Sequence, residues 1–324
     1  MYRRNIVSRM IRGVRIRVYA ILFRLLDWRT NRKGILCVEI DCSSNGFFAQ
    51  MSGLVPILMY CCRSRLTPYI VLSSKAYADS EHGPNFLEYF FDGPVLTRTQ
   101  LRALKKFPIR RVERFCDLPY WERNQYPSLR EGHRFFNSYY QIKSTFVEEA
   151  RSFHRKELKG LPALGVHFRG TDKVSEATEL KPDEVVASIL EVMRIHREIK
   201  CIFLSTDAEH MISYCRQKLP QFEVVVRQDE VRSSDEVAVH CKMVGRPYEK
   251  GKDAIMNCII LSQCAVLLKS MSHLSGWSKV FNPDLKVYLM NRPDKNGVIW
   301  LGFPEEEMVR ESWFIEVPRE ENTG

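Results

Sequence analysis

Continuous apolar runs at 163–168, 201–205, 222–226, 265–268 and 286–290 read as strands buried on both faces. Between them, 182–197, 208–218 and 252–263 carry helical spacing, with Val185, Val186, Ile189, Leu190 and Met193 on one face of the first. Strands and helices alternating in this way predict a parallel sheet wrapped by helices. Nearer the start, 34–40 reads as a buried strand, 41–46 as a turn-forming cluster, 47–63 as a helix and 66–73 as a second strand. This is the opening of another parallel α/β unit. Residues 75–155 are less regular, with one helix near 141–158 and aromatic groups at 86–91, 120–121 and 135–140. The groups at 86–91 and 135–140 read as core rather than as sugar-stacking platforms. The polar stretch 155–162 separates the halves, and 291–324 is polar and acidic, with Trp300, Phe303, Trp313 and Phe314 available to pack back.

Length and composition fit this picture: 324 residues, 45% hydrophobic and 27% charged, suit two domains of ordinary size or one large one. The formal net charge of +10 changes it only locally, because nine Arg and one Lys oppose a single acid, Asp27, within residues 1–33. The rest of the chain is close to neutral. In that arm Val7, Met10, Ile11, Val14, Val18, Ile21, Leu22, Leu25 and Trp28 recur at helical spacing among arginines. A basic amphipathic helix of this kind either lies on an anionic membrane surface or packs against the protein's own body. It is too interrupted by arginine to span a bilayer or to serve as a signal peptide. Aromatic interleaving and binding motifs are missing, so no nucleic-acid partner is expected.

The ten cysteines stand mostly inside apolar runs, as at Cys201 and Cys258, without Cys-x-x-Cys or zinc spacing. They read as reduced, buried thiols, and the expectation is a cytoplasmic protein, peripheral on the inner face of a membrane if residues 1–30 bind it. Glu39 and Asp41 have acid-x-acid form but lack further ligands, so no metal site is expected.

The sharpest local feature follows the run at 163–168, where His167, Arg169, Asp172, Lys173 and Glu176 crowd five ionisable groups into ten residues. Open α/β sheets bind ligands at the carboxyl ends of their strands. An arginine there grips phosphate oxygens bidentately, a lysine adds charge, and a carboxylate can act as a base. The plainer reading is a solvated loop with internal ion pairs. The cluster at 43–50, with Gly46 opening a helix, reads either as backbone approaching a phosphate or sugar or as an ordinary tight turn.

Pro162–Val174 (PALGVHFRGTDKV) resembles the first motif of the α-1,6-fucosyltransferase family, which includes core and rhizobial nodulation fucosyltransferases and is related to the protein O-fucosyltransferases. Phe203–Asp207 (FLSTD) resembles its second motif, and Asp253–Ser275 (DAIMNCIILSQCAVLLKSMSHLS) its third. The resemblance covers about residues 160–290 and is thin before 150. It implies two Rossmann-like domains of the GT-B class: the arm at 1–33, an acceptor domain at 34–158 and a donor domain at 159–324. It also implies an inverting transfer of L-fucose from GDP-fucose to a glycan or glycoconjugate hydroxyl.

On this resemblance Arg169 matches the arginine on the β-phosphate, His167 and Lys173 its neighbours, Asp172 an acid fixing that loop, and Asp207 the second-motif acid. Ser270 and Ser272 match hydroxyls near the phosphates, Gly46 a glycine-containing loop, and Asn257 stands where an aspartate reads the guanine edge. Arg246 and Tyr248 are further candidates for donor contacts. No cofactor or metal is expected, since Arg169 and Lys173 would neutralise the departing diphosphate. Departures from the family pattern are Gly170 for a second arginine, Ala208 for a second acid, Asn257 itself, and Ala177 at the aligned base. Glu176 is the first substitute for that base and Glu179 the second. These departures leave open another GDP- or UDP-sugar donor, or a binding protein that has lost catalysis.

Overall fold

The computed structural model describes residues 30–42, 45–106, 109–115, 118, 128–169, 180–230, 232 and 246–291. The chain resolves into two compact units, residues 1–45, 53–126 and 134–141 in one and residues 46–52, 127–133 and 142–324 in the other. The basic arm, the loop bearing Gly170, Asp172, Lys173, Glu176 and Glu179, and the tail with Trp300, Phe303, Trp313 and Phe314 lie outside the described residues. Among the described residues no helix is long and apolar enough to cross a membrane.

The first unit is built on a parallel three-stranded sheet, β2-β1-β4, from β1 (Ile35–Ile40), β2 (Thr67–Leu72) and β4 (Arg110–Val112). Helix α1 (Phe47–Ser64) joins β1 to β2, as the apolar pattern requires for a parallel crossover. Gly53 faces the Phe115 ring, where an added Cβ would lie 2.6 Å from ring carbons, so only glycine lets that ring seat. Buried Asn85 caps the free side of β2: Leu72 N–H donates to its Oδ1 at 3.0 Å, and its Nδ2 donates to Ile70 O at 3.1 Å. The aromatic groups are core, with Phe86, Phe90, Phe91, Phe135, Phe136 and Tyr140 all buried. Short elements that the irregular pattern did not reveal follow β2 along the chain: α2 (Leu87–Phe90), β3 (Phe91–Asp92), α3 (Arg98–Lys106), α4 (Leu129–Asn137) and β5 (Gln141–Ile142).

The second unit carries a five-stranded, all-parallel sheet in the order β10-β9-β6-β7-β8. Its strands are β6 (Ala163–Phe168), β7 (Cys201–Thr206), β8 (Glu223–Val225), β9 (Val266–Lys269) and β10 (Lys286–Leu289). Its helices are α5 (Ser144–Lys156), α6 (Pro182–Ile195), α7 (Glu209–Lys218), α8 (Pro247–Gln263) and α9 (His273–Phe281). Numbered within the unit, the strands run 3-2-1-4-5, the order of a doubly wound nucleotide-binding sheet, with its switch point between β6 and β9.

The side chains of Leu164, Val166, Phe168, Ile202, Leu204, Val266 and Leu268 join α6 and α7 in one core. Strand alternation therefore turns Gly165, His167 and Lys269 to the opposite face. There Gly165 lies under α8, where an added Cβ would sit 3.0 Å from Leu261 and Cys264.

Three expectations need correction here. Leu190 is 40% exposed, and Val192 takes its place in the core, because the observed helix turns its buried stripe through 185, 189 and 192. Helix α8 starts at Pro247, five residues before the periodic apolar pattern, so Tyr248 belongs to its first turn rather than to a loop. Proline at the first helical position has its dihedral preset and lacks only an N–H that would be unbonded there. Helix α9 was not visible in a stretch of serines and glycine. It forms because Ser272 caps it, accepting from Leu274 N–H at 3.3 Å, and because Trp277 is fully buried.

A polar network ties α9 to the start of α1. Ser52 Oγ donates to Phe48 O at 2.8 Å and accepts from Trp277 Nε1 at 2.9 Å. His273 Nδ1 lies 2.9 Å from the same oxygen, so that nitrogen carries the proton and donates.

Candidate functional site

Every strand of the second sheet ends on the same side, where His167, Arg169, Asp207 and Ser270 stand. Phe168 pairs in register with Thr206, so Arg169 and Asp207 leave neighbouring strand ends together. His167 is buried and lies in register between Ser205 on one side and Lys269 on the other. At the switch point, Ser270 N–H donates to His167 O at 2.8 Å and Ser270 Oγ to the same oxygen at 3.2 Å. Ser270 Oγ also accepts from Arg169 N–H at 3.1 Å. This hydroxyl fixes the backbone from which the Arg169 side chain departs. Ser272, buried, caps α9, whose N-terminus carries the partial positive charge that suits an anion. Its neighbour Met271 donates N–H to Asn291 Oδ1 at 2.6 Å.

Gly46 is exposed at the start of α1, and a Cβ there would meet none of the chain's own atoms within 4 Å. Glu39 and Asp41, in the first unit, are matched by an arginine: Arg111 reaches Asp41 at 2.9 Å and Glu39 at 3.6 Å, and Ser73 donates to Glu39 at 2.8 Å. Among the described residues no group of three or more His, Cys, Asp or Glu is placed to hold a metal ion. The eight described cysteines form no disulfide, and all but Cys62 are buried. Burial pushes the Cys258 and Cys264 thiols well up, so they behave as apolar filler.

The structure adds residues that the pattern did not mark. Lys269 ends an apolar strand and is fully buried, a position that requires compensation of its charge. Past the end of β8, Arg227 is 3% exposed and donates to Asp229 at 2.7 Å and to the side chain of Asp253, on α8, at 3.1 Å. Burial works against that guanidinium's charge, but the paired acids outweigh it and hold its pKa up. Burial likewise opposes ionisation of Asp229, and the Arg227 hydrogen bond and charge outweigh it, leaving Asp229 below the usual carboxylate range.

Beside them Glu230 accepts from Asn257 Nδ2 at 2.6 Å and from Arg232 at 3.1 Å, and Arg232 also donates to Arg227 O. Burial pushes the Glu230 carboxyl up to about 7 against the pull of Arg232 and Arg227. A signal was present in the sequence: Arg227, Asp229, Glu230 and Arg232 cluster directly after an apolar strand.

No protein-family model matches the chain, and no curated protein matches it in sequence. Solved structures resemble it to differing degrees. NodZ alpha-1,6-fucosyltransferase soaked with GDP-fucose superposes with a TM-score of 0.50 at 15% identity, covering 76% of this chain and 93% of that one. POFUT1 in complex with GDP gives 0.49 at 10% identity, covering 78% and 97%. A mutant of Arabidopsis thaliana FUT1 in complex with GDP gives 0.49 at 9%, covering 86% and 76%. At 15% identity the likeness to the first of these is one of fold: an α/β protein with parallel sheets of the kind found in that fucosyltransferase.

Proposed function

We propose that the chain is a fucosyltransferase of the GT-B class that takes L-fucose from GDP-fucose and transfers it, with inversion, to a glycan or glycoconjugate hydroxyl. The observation that carries this reading is the switch point of the second sheet, where Ser270 Oγ holds Arg169 N–H between β6 and β9. Brought there, Arg169 is the group to grip the β-phosphate bidentately, with the α9 N-terminus adding positive potential. The fold shared with a fucosyltransferase soaked with GDP-fucose supports the same donor.

In the proposed reaction Glu176 removes the acceptor proton as the oxygen attacks fucose C1. The bond to the β-phosphate oxygen breaks, and Arg169 and Lys173 neutralise the charge that develops on GDP. No protein-bound sugar intermediate is involved, so a β-linked donor yields an α-L-fucoside.

Calorimetric titration with GDP and with UDP tests the donor assignment. GDP is expected to bind, and Arg169→Ala to weaken it by roughly 100-fold or more while circular dichroism and thermal unfolding stay unchanged. A folded Arg169→Ala protein that binds GDP and transfers fucose normally would falsify the assignment. Asn257 favours a second reading, a UDP-sugar donor, because an amide offers one acceptor oxygen where guanine asks for two. Binding of UDP in place of GDP would establish that alternative.

A further inference from the structure

Asn257 sits in the middle of α8, 3% exposed, with one side of its amide in use and the other idle. Its Nδ2 donates to Glu230, whereas its Oδ1, sealed from solvent, accepts nothing. Arg232 repeats the pattern with the opposite polarity: it donates to Glu230 and to Arg227 O, while its buried Nε has no acceptor. Buried polar atoms without partners are rare in folded proteins and call for an explanation. Here two of them, one acceptor and one donor, border the same carboxyl. The cluster belongs to the second unit and stands past the carboxyl end of β8, on the sheet edge that also carries Arg169 and Ser270.

The hydrogen-bonding code of this cluster is one donor, Arg232 Nε, and two acceptors, Asn257 Oδ1 and the Glu230 carboxylate. Guanine's Watson–Crick edge presents the complement: the O6 acceptor and the N1–H and N2–H₂ donors. Uracil presents two acceptors about one donor, and adenine one of each, so neither satisfies all three groups.

We propose that Glu230, Asn257 and Arg232 together read the guanine base of the donor, Glu230 supplying the second acceptor that the amide at 257 does not have. This rests on the GDP-sugar reading above and goes beyond it, since the specificity-determining carboxylate comes from the turn after β8 rather than from α8. The Glu230–Nδ2 bond has a positioning role, because it engages the amide's donor side and leaves Oδ1 as the unused acceptor.

The test is calorimetric titration of the full chain with GDP, with inosine diphosphate, which lacks the exocyclic amine, and with UDP. Wild type is expected to prefer GDP over inosine diphosphate by roughly tenfold. E230Q is expected to lose roughly 10- to 100-fold in GDP affinity, together with that preference. The double variant E230Q/N257D, which returns a carboxylate to α8, is expected to regain GDP binding, a rescue that a misfolded E230Q would not allow. Unchanged GDP affinity and preference in E230Q would overturn the Glu230 assignment and leave the donor reading standing. A wild-type protein that binds UDP, or neither nucleotide, but not GDP would overturn both.

Discussion

In the first unit, Glu39 and Asp41 at the end of β1 share Arg111, whose side chain is 60% exposed, whereas past β8 in the second unit Arg227, Glu230 and Arg232 are enclosed. Both places hold an acceptor without a partner: Asp41 Oδ1 in one, Asn257 Oδ1 in the other. The difference lies in what surrounds it. Around Asp41 the counter-charge stands in water, where it is screened and contributes little. Around Asn257 an idle donor, Arg232 Nε, and a carboxyl driven up to about 7 share the same buried cluster. An unused acceptor alone therefore does not mark a site. What sets the second place apart is that a donor and an acceptor, both buried and both unfilled, border one carboxyl past the end of β8.

The comparison can be broken most sharply at Arg227. Replacing it with Ala leaves Asp253, 18% exposed, without its cation, while Asp229, 66% exposed, falls back on water, so the cost should be about 1–3 kcal/mol. Urea unfolding should show that loss, and a variant within 1 kcal/mol of wild type, on the order of an exposed pair, would erase the distinction.

A pH series sharpens it further. The folded pKa of Glu230 lies above the ordinary 4.5, so the folded state holds its proton more tightly than the unfolded chain does. Its contribution is complete below pH 4.5 and is lost as pH rises to about 7, the reverse of an ordinary salt-bridged carboxylate. Across that window wild type should lose on the order of a few kcal/mol more than E230Q. Parallel stability curves for the two proteins would show that the carboxyl titrates normally.

The smallest effect belongs to Arg111, which lies in water. Arg111→Ala should leave the melting temperature within measurement error and leave GDP binding untouched. A clear destabilisation would mean that the edge of the first sheet is as constrained as that of the second.

Much of the second unit was legible beforehand, because parallel strands buried on both faces must be apolar at consecutive positions. The runs that became β6, β7, β9 and β10 announce themselves in this way, and with them the strand ends that carry Arg169, Asp207 and Ser270. Helix α8 showed only its later turns, since its first turn is polar and its start depends on Pro247. The short helices α3 and α4 stayed hidden because neither carries a long periodic stripe.

What the sequence by itself determined was the alternation of elements, the polarity of each strand and the chemistry stored just past each strand end. These are local properties, written in spacing and residue type. Only the tertiary structure decided which of those ends meet. Asn257 and Glu230 stand 27 residues apart, Arg169 and Ser270 101, and Ser52 and Trp277 225. Such partners are chosen by sheet order and by how closely Gly165 lets α8 approach, and neither leaves a periodic trace along the chain. Burial of Lys269 follows the same logic: its neighbours, not its own residue type, place a charge where water does not reach.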